Sequence, residues 1–264
     1  MGIKRFLAAF GIGGPSIDTV IEQPLVRPGD RLVGRVDLVG GEVEARIDEI
    51  AVSLAARVEV EIGDHEGQTT MEFSRVAVSG PFVLAAGEQR RLPFEYPVSL
   101  QSPLTEVDGR PLPRAALGLS TDVVIGGQPD KGDLDPVRVD PLPAQRAVLE
   151  AVDRLGFGLV KTDIEHGTRH GTRQEFPLYQ EFEYRAAPRY AGRLNEMELS
   201  FVADDRGVDV LIEVDKRGGL FLESQDRFGR FRVEHAAVAG AGTDLAPVVA
   251  EQVDSLLRRR GLFG

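Results

Sequence analysis

The chain contains no cysteine, so disulfide frameworks, thiolate zinc sites and cysteine nucleophiles are all excluded. It has no tryptophan and only four histidines, which leaves little material for acid–base catalysis or an aromatic box. Cations are outnumbered: 31 Lys+Arg stand against 42 Asp+Glu, a formal charge of −11. That balance argues against a nucleic-acid partner bound by phosphate neutralisation. No apolar run approaches the ~20 residues that a membrane-spanning helix needs. What is present is 264 residues, more than one domain and fewer than three at roughly 100–200 residues each. With 42% hydrophobic and 28% charged residues the chain can fill a core and is too apolar for disorder. The composition is that of a soluble, acidic, cytoplasmic protein.

At the N-terminus Lys4 and Arg5 precede a short apolar stretch, Phe6 to Phe10. Gly11, Gly13 and Gly14 interrupt it and no small-residue cleavage site follows, so a short amphipathic helix is expected rather than a signal peptide. Phe6 stands where myristoylation at Gly2 would want Ser or Thr. At the other end Leu245, Val248, Val249, Val253, Leu256 and Leu257 recur at helical spacing, with Thr243 or Asp244 to cap them. Arg258, Arg259 and Arg260 sit where the helix dipole favours cations, and Gly261 ends the segment. A helix near 244–260 packed on a core is expected. Attachment to a membrane surface through these basic ends is opposed by the net charge.

Between the ends, alternation dominates from Ser16 to Ile125. Ile50, Val52, Leu54, Ala56, Val58, Val60 and Ile62 make one apolar face, opposed by Glu49, Ser53, Arg57, Glu59 and Glu61, the pattern of a long half-buried strand. Leu92, Phe94, Tyr96 and Val98 alternate with Pro93 and Pro97, so this strand belongs at an edge or turns its proline nitrogens outward. Turn signals at Pro28-Gly29-Asp30, Gly40-Gly41, Ser79-Gly80-Pro81, Asp108-Gly109 and Gly126-Gly127 complete the pattern of a β-sandwich. Asp130 to Asp140 reads as a polar connector around a short extended piece, Val137 to Val139. Pro141 and Pro143 then open a helix near 143–155 that Gly156 closes. Strands resume beyond it, with Asp204-Asp205-Arg206-Gly207 as a hairpin turn. The expected fold is mainly β: a sandwich domain with connector over 1–140, then a second β-rich domain with a few helices over 141–264.

Chemistry is sparse. His166 and His170 are four apart but lie in a Gly-flanked segment between strands, where a solvated loop outweighs a metal site. Asp130, Asp133 and Asp135 lack the spacing and terminal Glu of a calcium loop. Gly11-Ile12-Gly13-Gly14 lacks the Gly-Lys-Ser/Thr of a phosphate loop and precedes a strand. Glu59 and Glu61, Glu181 and Glu183, Glu196 and Glu198 are paired on strand faces at the ~7 Å that glycoside hydrolysis uses. A solvated strand face accounts for them, and no serine has nucleophile-elbow glycines. No catalytic, cofactor or metal residue is expected. A metal- or carboxylate-dependent, carbohydrate-active hydrolase is the alternative.

Pro28-Gly29-Asp30-Arg31-Leu32-Val33-Gly34-Arg35-Val36 resembles the second strand of arrestin-like domains, and Leu92 to Leu100 resembles their proline- and aromatic-rich strand. A glycine inside a strand marks a place where a neighbouring side chain or backbone lies close. Gly11-Ile12-Gly13, Ser16 to Glu22, Arg154 to Phe157, Phe176 to Tyr184 and Glu213 to Arg217 are similar, in order, to the bacterial sporulation-control SpoOM family. That resemblance implies an arrestin-like sandwich, a second β-rich domain and a non-enzymatic intracellular adaptor of protein partners. Strand addition at an edge would serve such a role. The elements nominated for it are Leu92, Phe94 and Tyr96, and Val137 and Val139, the latter also offering a homodimer by strand exchange.

Overall fold

The computed structural model describes residues 13–62, 65–169, 171–216, 225–240 and 242–258. The helix expected before Gly11 lies outside this set, as do His170, Arg259, Arg260 and Gly261. Two compact units form. Of the described residues, one comprises those up to Arg57 with Gln68–Ser99 and Ala116–Val139; the other comprises those of 58–67, Leu100–Ala115 and those from Asp140 on.

In the first unit, β1 (Ser16–Ile21), β3 (Arg31–Val39) and β7 (Gln89–Pro97) make an antiparallel sheet with β3 in the middle. The facing layer runs β2 (Leu25–Val26), β11 (Gln128–Val139), β10 (Leu117–Ile125), β4 (Ala45–Ile62), with β5 (His65–Ser79) and β6 (Phe82–Leu84) also pairing β4. Leu32, Val36, Ile50, Val52 and Leu54 are fully buried between them. A hydrogen bond of 2.7 Å between the Thr19 and Thr121 hydroxyls joins β1 to β10 inside this core.

Three readings of the sequence change here. The polar stretch after Gly127 is not a connector: β11 pairs β10 from Gln128↔Ile125 to Val137↔Leu117. Backbone hydrogen bonds need no apolar side chains, so a ladder partner held this segment extended where periodicity gave no signal. Next, β4 is buried on both faces from Ile50 to Ala56, because Ala51, Ser53 and Ala55 are small enough to be covered too. Its 18 residues span roughly 60 Å at ~3.3 Å each. That length lets its end, from Val58, belong to the second unit, where Glu59 stands in parallel register with Glu165. The short hairpin of β8 (Glu106–Val107) and β9 (Arg110–Pro111) also packs there, although the alternation had placed it in the first domain.

The second unit is an antiparallel meander of β12 (Gly158–His166), β13 (Leu178–Arg185), β14 (Leu194–Ala203), β15 (Gly207–Lys216) and β16 (Gln225–Glu234). One face is apolar, with Phe182, Tyr184, Met197, Leu199, Val210 and Ile212 buried. Helices α1 (Pro143–Arg154) and α2 (Ala246–Arg258) pack on β15 and β16 and on each other. Pro143 opens α1, and the Gln145 side-chain oxygen accepts the Leu142 N–H at 2.9 Å. Gly156 closes it at φ +85°, the left-handed position that favours glycine. In α2 the buried stripe is Val249, Val253, Leu256 and Leu257, while Val248 stays 39% exposed. The hairpin turn holds because the Asp204 carboxylate accepts from the Arg206 and Gly207 N–H groups. The Arg232 guanidinium and those two donors hold its carboxyl well below the usual carboxylate range.

Candidate functional site

The nominated partner-binding side chains point inward. Phe94, Tyr96, Val137 and Val139 are buried and Leu92 is half-buried. Val137 pairs Leu117 of β10, and Val139 pairs Val26 of β2, so this end of β11 is docked on its own sheet along both sides. That corrects the expectation of an available strand. For β7 only the backbone edge is presented. The Val98 N–H donates to the Asp30 carbonyl at 2.9 Å, which sets the phase: even-numbered residues bond β3 and odd-numbered ones face away. Pro93 and Pro97 therefore fall on the outward side, where each removes a donor, as their spacing in the sequence required.

Tyr96 is a lock. Its hydroxyl donates to the Ser74 carbonyl at 2.7 Å and accepts the Leu54 N–H at 3.3 Å. Ser74 sits at φ +56°, an unfavourable region for serine, inside β5. Tyr96→Phe is expected to lower stability by ~1–2 kcal/mol, because the buried Leu54 N–H loses its acceptor while the half-buried Ser74 carbonyl, which loses its donor, can turn to water. The shift of the urea midpoint at unchanged slope measures it.

The paired acids that the sequence scattered over separate strands converge in the second unit. Asp163 and Glu165 of β12, Glu181 and Glu183 of β13, Glu198 of β14 and Glu59 of β4 line one groove of about 330 Å³, with Tyr179 and Lys161. They share the polar face of the meander because residues two apart on a strand point the same way. The antiparallel register sets Glu183 opposite Glu198 and Lys161. Lys161 bonds Asp163 at 2.9 Å and Glu183 at 3.3 Å, and these carboxylates push its ammonium pKa up. Arg114 binds both Glu59 and Asp163, the latter at 3.2 Å. Arg169 binds Glu181 and, at 3.3 Å, Glu213 of β15, with its guanidinium 4.4 Å from the Tyr179 ring. Burial pushes the Tyr179 phenol up.

Sequence reasoning missed all three cations. The histidines are the visible chemistry of the segment after β12, yet Arg169 is the residue that reaches back over the sheet, while His166 is exposed. Only the register between strands brings these partners together, and no local pattern carries it. Among the described residues no group of three His, Asp or Glu side chains is placed to hold a metal. Glycosidic acid–base work needs one carboxyl kept protonated and another poised across the bond. Here Asp163, Glu181 and Glu183 each bond a cation, the arrangement of an ion network.

A β-sandwich unit and a second β-rich unit backed by two helices define a mainly-β, two-unit protein among the described residues. The chain belongs to the SpoOM protein family, whose pattern matches residues 3–218. It is 32% identical over 215 residues to the sporulation-control protein spo0M of Bacillus subtilis (strain 168), which covers 81% of this chain and 80% of that relative. The crystal structure of Spo0M from Bacillus subtilis is similar with a TM-score of 0.76 at 27% identity, covering 93% of this chain and 98% of that one.

Proposed function

We propose that this protein is a non-enzymatic regulatory adaptor of the cytoplasm that holds protein partners by strand addition along the edge of β1. The name of its relative, a sporulation-control protein, supports a regulatory role. The observation that carries the binding mode is the contrast between the two edges of the three-stranded sheet. On β7 prolines occupy outward positions. On β1 the Glu22 N–H donates to the Val33 carbonyl at 3.0 Å, so even-numbered residues bond β3 and Ile17, Thr19 and Ile21 turn their backbone groups outward. No proline interrupts Ser16–Ile21, and among the described strands β3 is its only ladder partner; β11 lies beside it and Ile17 and Thr19 are buried, so the part of the edge open to an added strand is its Ile21 end. An extended segment added there gains main-chain bonds for affinity and alternate side chains for selection.

The test is a cross-linking pull-down from the source cells with the native chain and with Ile21→Pro. Proline at 21 deletes an outward donor and no ladder bond, so the variant should unfold close to the native temperature and lose its partner. Native chain that recovers no protein, or Ile21→Pro that recovers the same partner undiminished, would overturn the reading.

A further inference from the structure

The hairpin of β8 and β9, helix α1 and strands β12 and β13 enclose a second groove, of about 440 Å³, remote in composition from the ion network. This volume lies within the ~300–1,000 Å³ of small-molecule sites. Leu112, Leu149, Phe157, Leu159, Phe182 and Tyr184 supply an apolar lining. Tyr184 is only 5% exposed, yet its hydroxyl makes no hydrogen bond with any described residue. The ring is buried but the oxygen is not sealed off, so the hydroxyl opens at the groove with its bonding capacity unused by the described residues.

The charges around the groove are mainly negative. Asp108, Glu150 and Asp153 line it against one guanidinium, that of Arg110. Asp108 is engaged by Arg146, and Glu150 has Arg154 at 3.7 Å. Asp153, three residues from Glu150 on the same face of α1, makes no ion pair with any described residue. Its charge, after burial, is the second influence pushing the Tyr184 phenol up, so the carboxylate is within electrostatic reach of that ring. Phenol oxygen, unpaired carboxylate and aromatic wall together form the complement of a protonated amine on an apolar body. The amine can donate to both oxygens while the body lies on the rings.

We propose that this groove binds a small organic ammonium ion, with Asp153 as counter-ion and the Tyr184 oxygen as hydrogen-bond acceptor. The proposal stands apart from the adaptor reading and involves different elements of the chain.

The full chain, methyl-labelled at leucine, is titrated in an NMR spectrometer with phenethylammonium, the neutral 2-phenylethanol and the anionic 3-phenylpropanoate. Saturable shifts at Leu112, Leu149 and Leu159 are expected with the amine, bound about tenfold tighter than the alcohol, the weight of one charged hydrogen bond. Asp153→Asn should bring the amine down to the level of the alcohol, and Tyr184→Phe should weaken it severalfold. Asp153 is exposed on a helix surface, so its variant keeps the fold, which the unshifted remainder of the spectrum verifies. Equal binding of amine and alcohol, preference for the anion, no saturable shift, or an indifferent Asp153→Asn would each overturn the proposal. A lysine-bearing peptide that moves these methyls where phenethylammonium does not would also overturn it, assigning the groove to a protein partner.

Discussion

Gly34→Ala is expected to destabilise the first unit by about 1–3 kcal/mol, the usual cost of forcing atoms into a filled site. Calorimetry should read this as a fall of roughly 2–12 °C in the unfolding midpoint. The reason is local. Gly34 lies in the middle of β3, directly opposite Phe94 of β7. A Cβ built there would stand 2.6 Å from the Phe94 ring and 2.7 Å from the Val20 carbonyl oxygen of β1. The ring of a buried phenylalanine, 7% exposed, has little freedom to swing aside, and the carbonyl belongs to a paired strand. Larger side chains should do worse, with Gly34→Val below Gly34→Ala. Gly80→Ala is the matched control: nothing stands within 4 Å of its added carbon. Lower unfolded-state entropy then makes that change neutral or slightly stabilising. A Gly34→Ala protein that melts with the Gly80→Ala protein would refute the close approach.

That glycine also shows how far the sequence could be read. Pro-Gly-Asp, three residues of strand and a glycine announced a close contact inside β3, but not that Phe94 was the group filling it. The long strands were legible because one face of each is buried, and burial of one face writes a period of two into the chain. The helices were legible through their stripes and through the Pro143 start and Gly156 stop. Strand β11 was not, because its place is set by backbone bonding to β10 and its side chains are largely polar. The groove was legible only as isolated pairs of glutamates. Their convergence depends on the parallel meeting of Glu59 with Glu165, about a hundred positions apart, and on the register of the meander, which local alternation does not carry. Tyr96 was read as a surface for partners because alternation marks a face without saying whether solvent or a second sheet covers it. The Ser74 carbonyl that it holds lies at a backbone irregularity that no residue type announces.

Gln180→Leu should cost the second unit ~2–6 kcal/mol, since two buried backbone groups would lose their partners at ~1–3 kcal/mol each. Gln180, 8% exposed on the apolar face of β13, treats Leu104 as a neighbouring strand would. Its side-chain oxygen accepts the Leu104 N–H at 2.8 Å and its side-chain nitrogen donates to the Leu104 carbonyl at 2.8 Å. Leu104 is itself 1% exposed, so water is a poor substitute for either bond. Leucine fills similar volume, which confines the loss to the hydrogen bonds. Gln180→Glu sharpens the test through pH. The carboxylate still accepts from the Leu104 N–H but faces the Leu104 carbonyl without a proton to give. Burial and that carbonyl raise the folded-state pKa of the new group above its unfolded value of roughly 4.3. The native state then binds the proton more readily, so stability falls as pH rises from the unfolded to the folded pKa and stays low above it. Urea midpoints for Gln180→Glu should therefore recover toward the native chain on acidification from pH 7 to 5, while those of Gln180→Leu keep a constant deficit. Parallel behaviour of the two variants across that range would show that the amide donor is not what holds Leu104 in place.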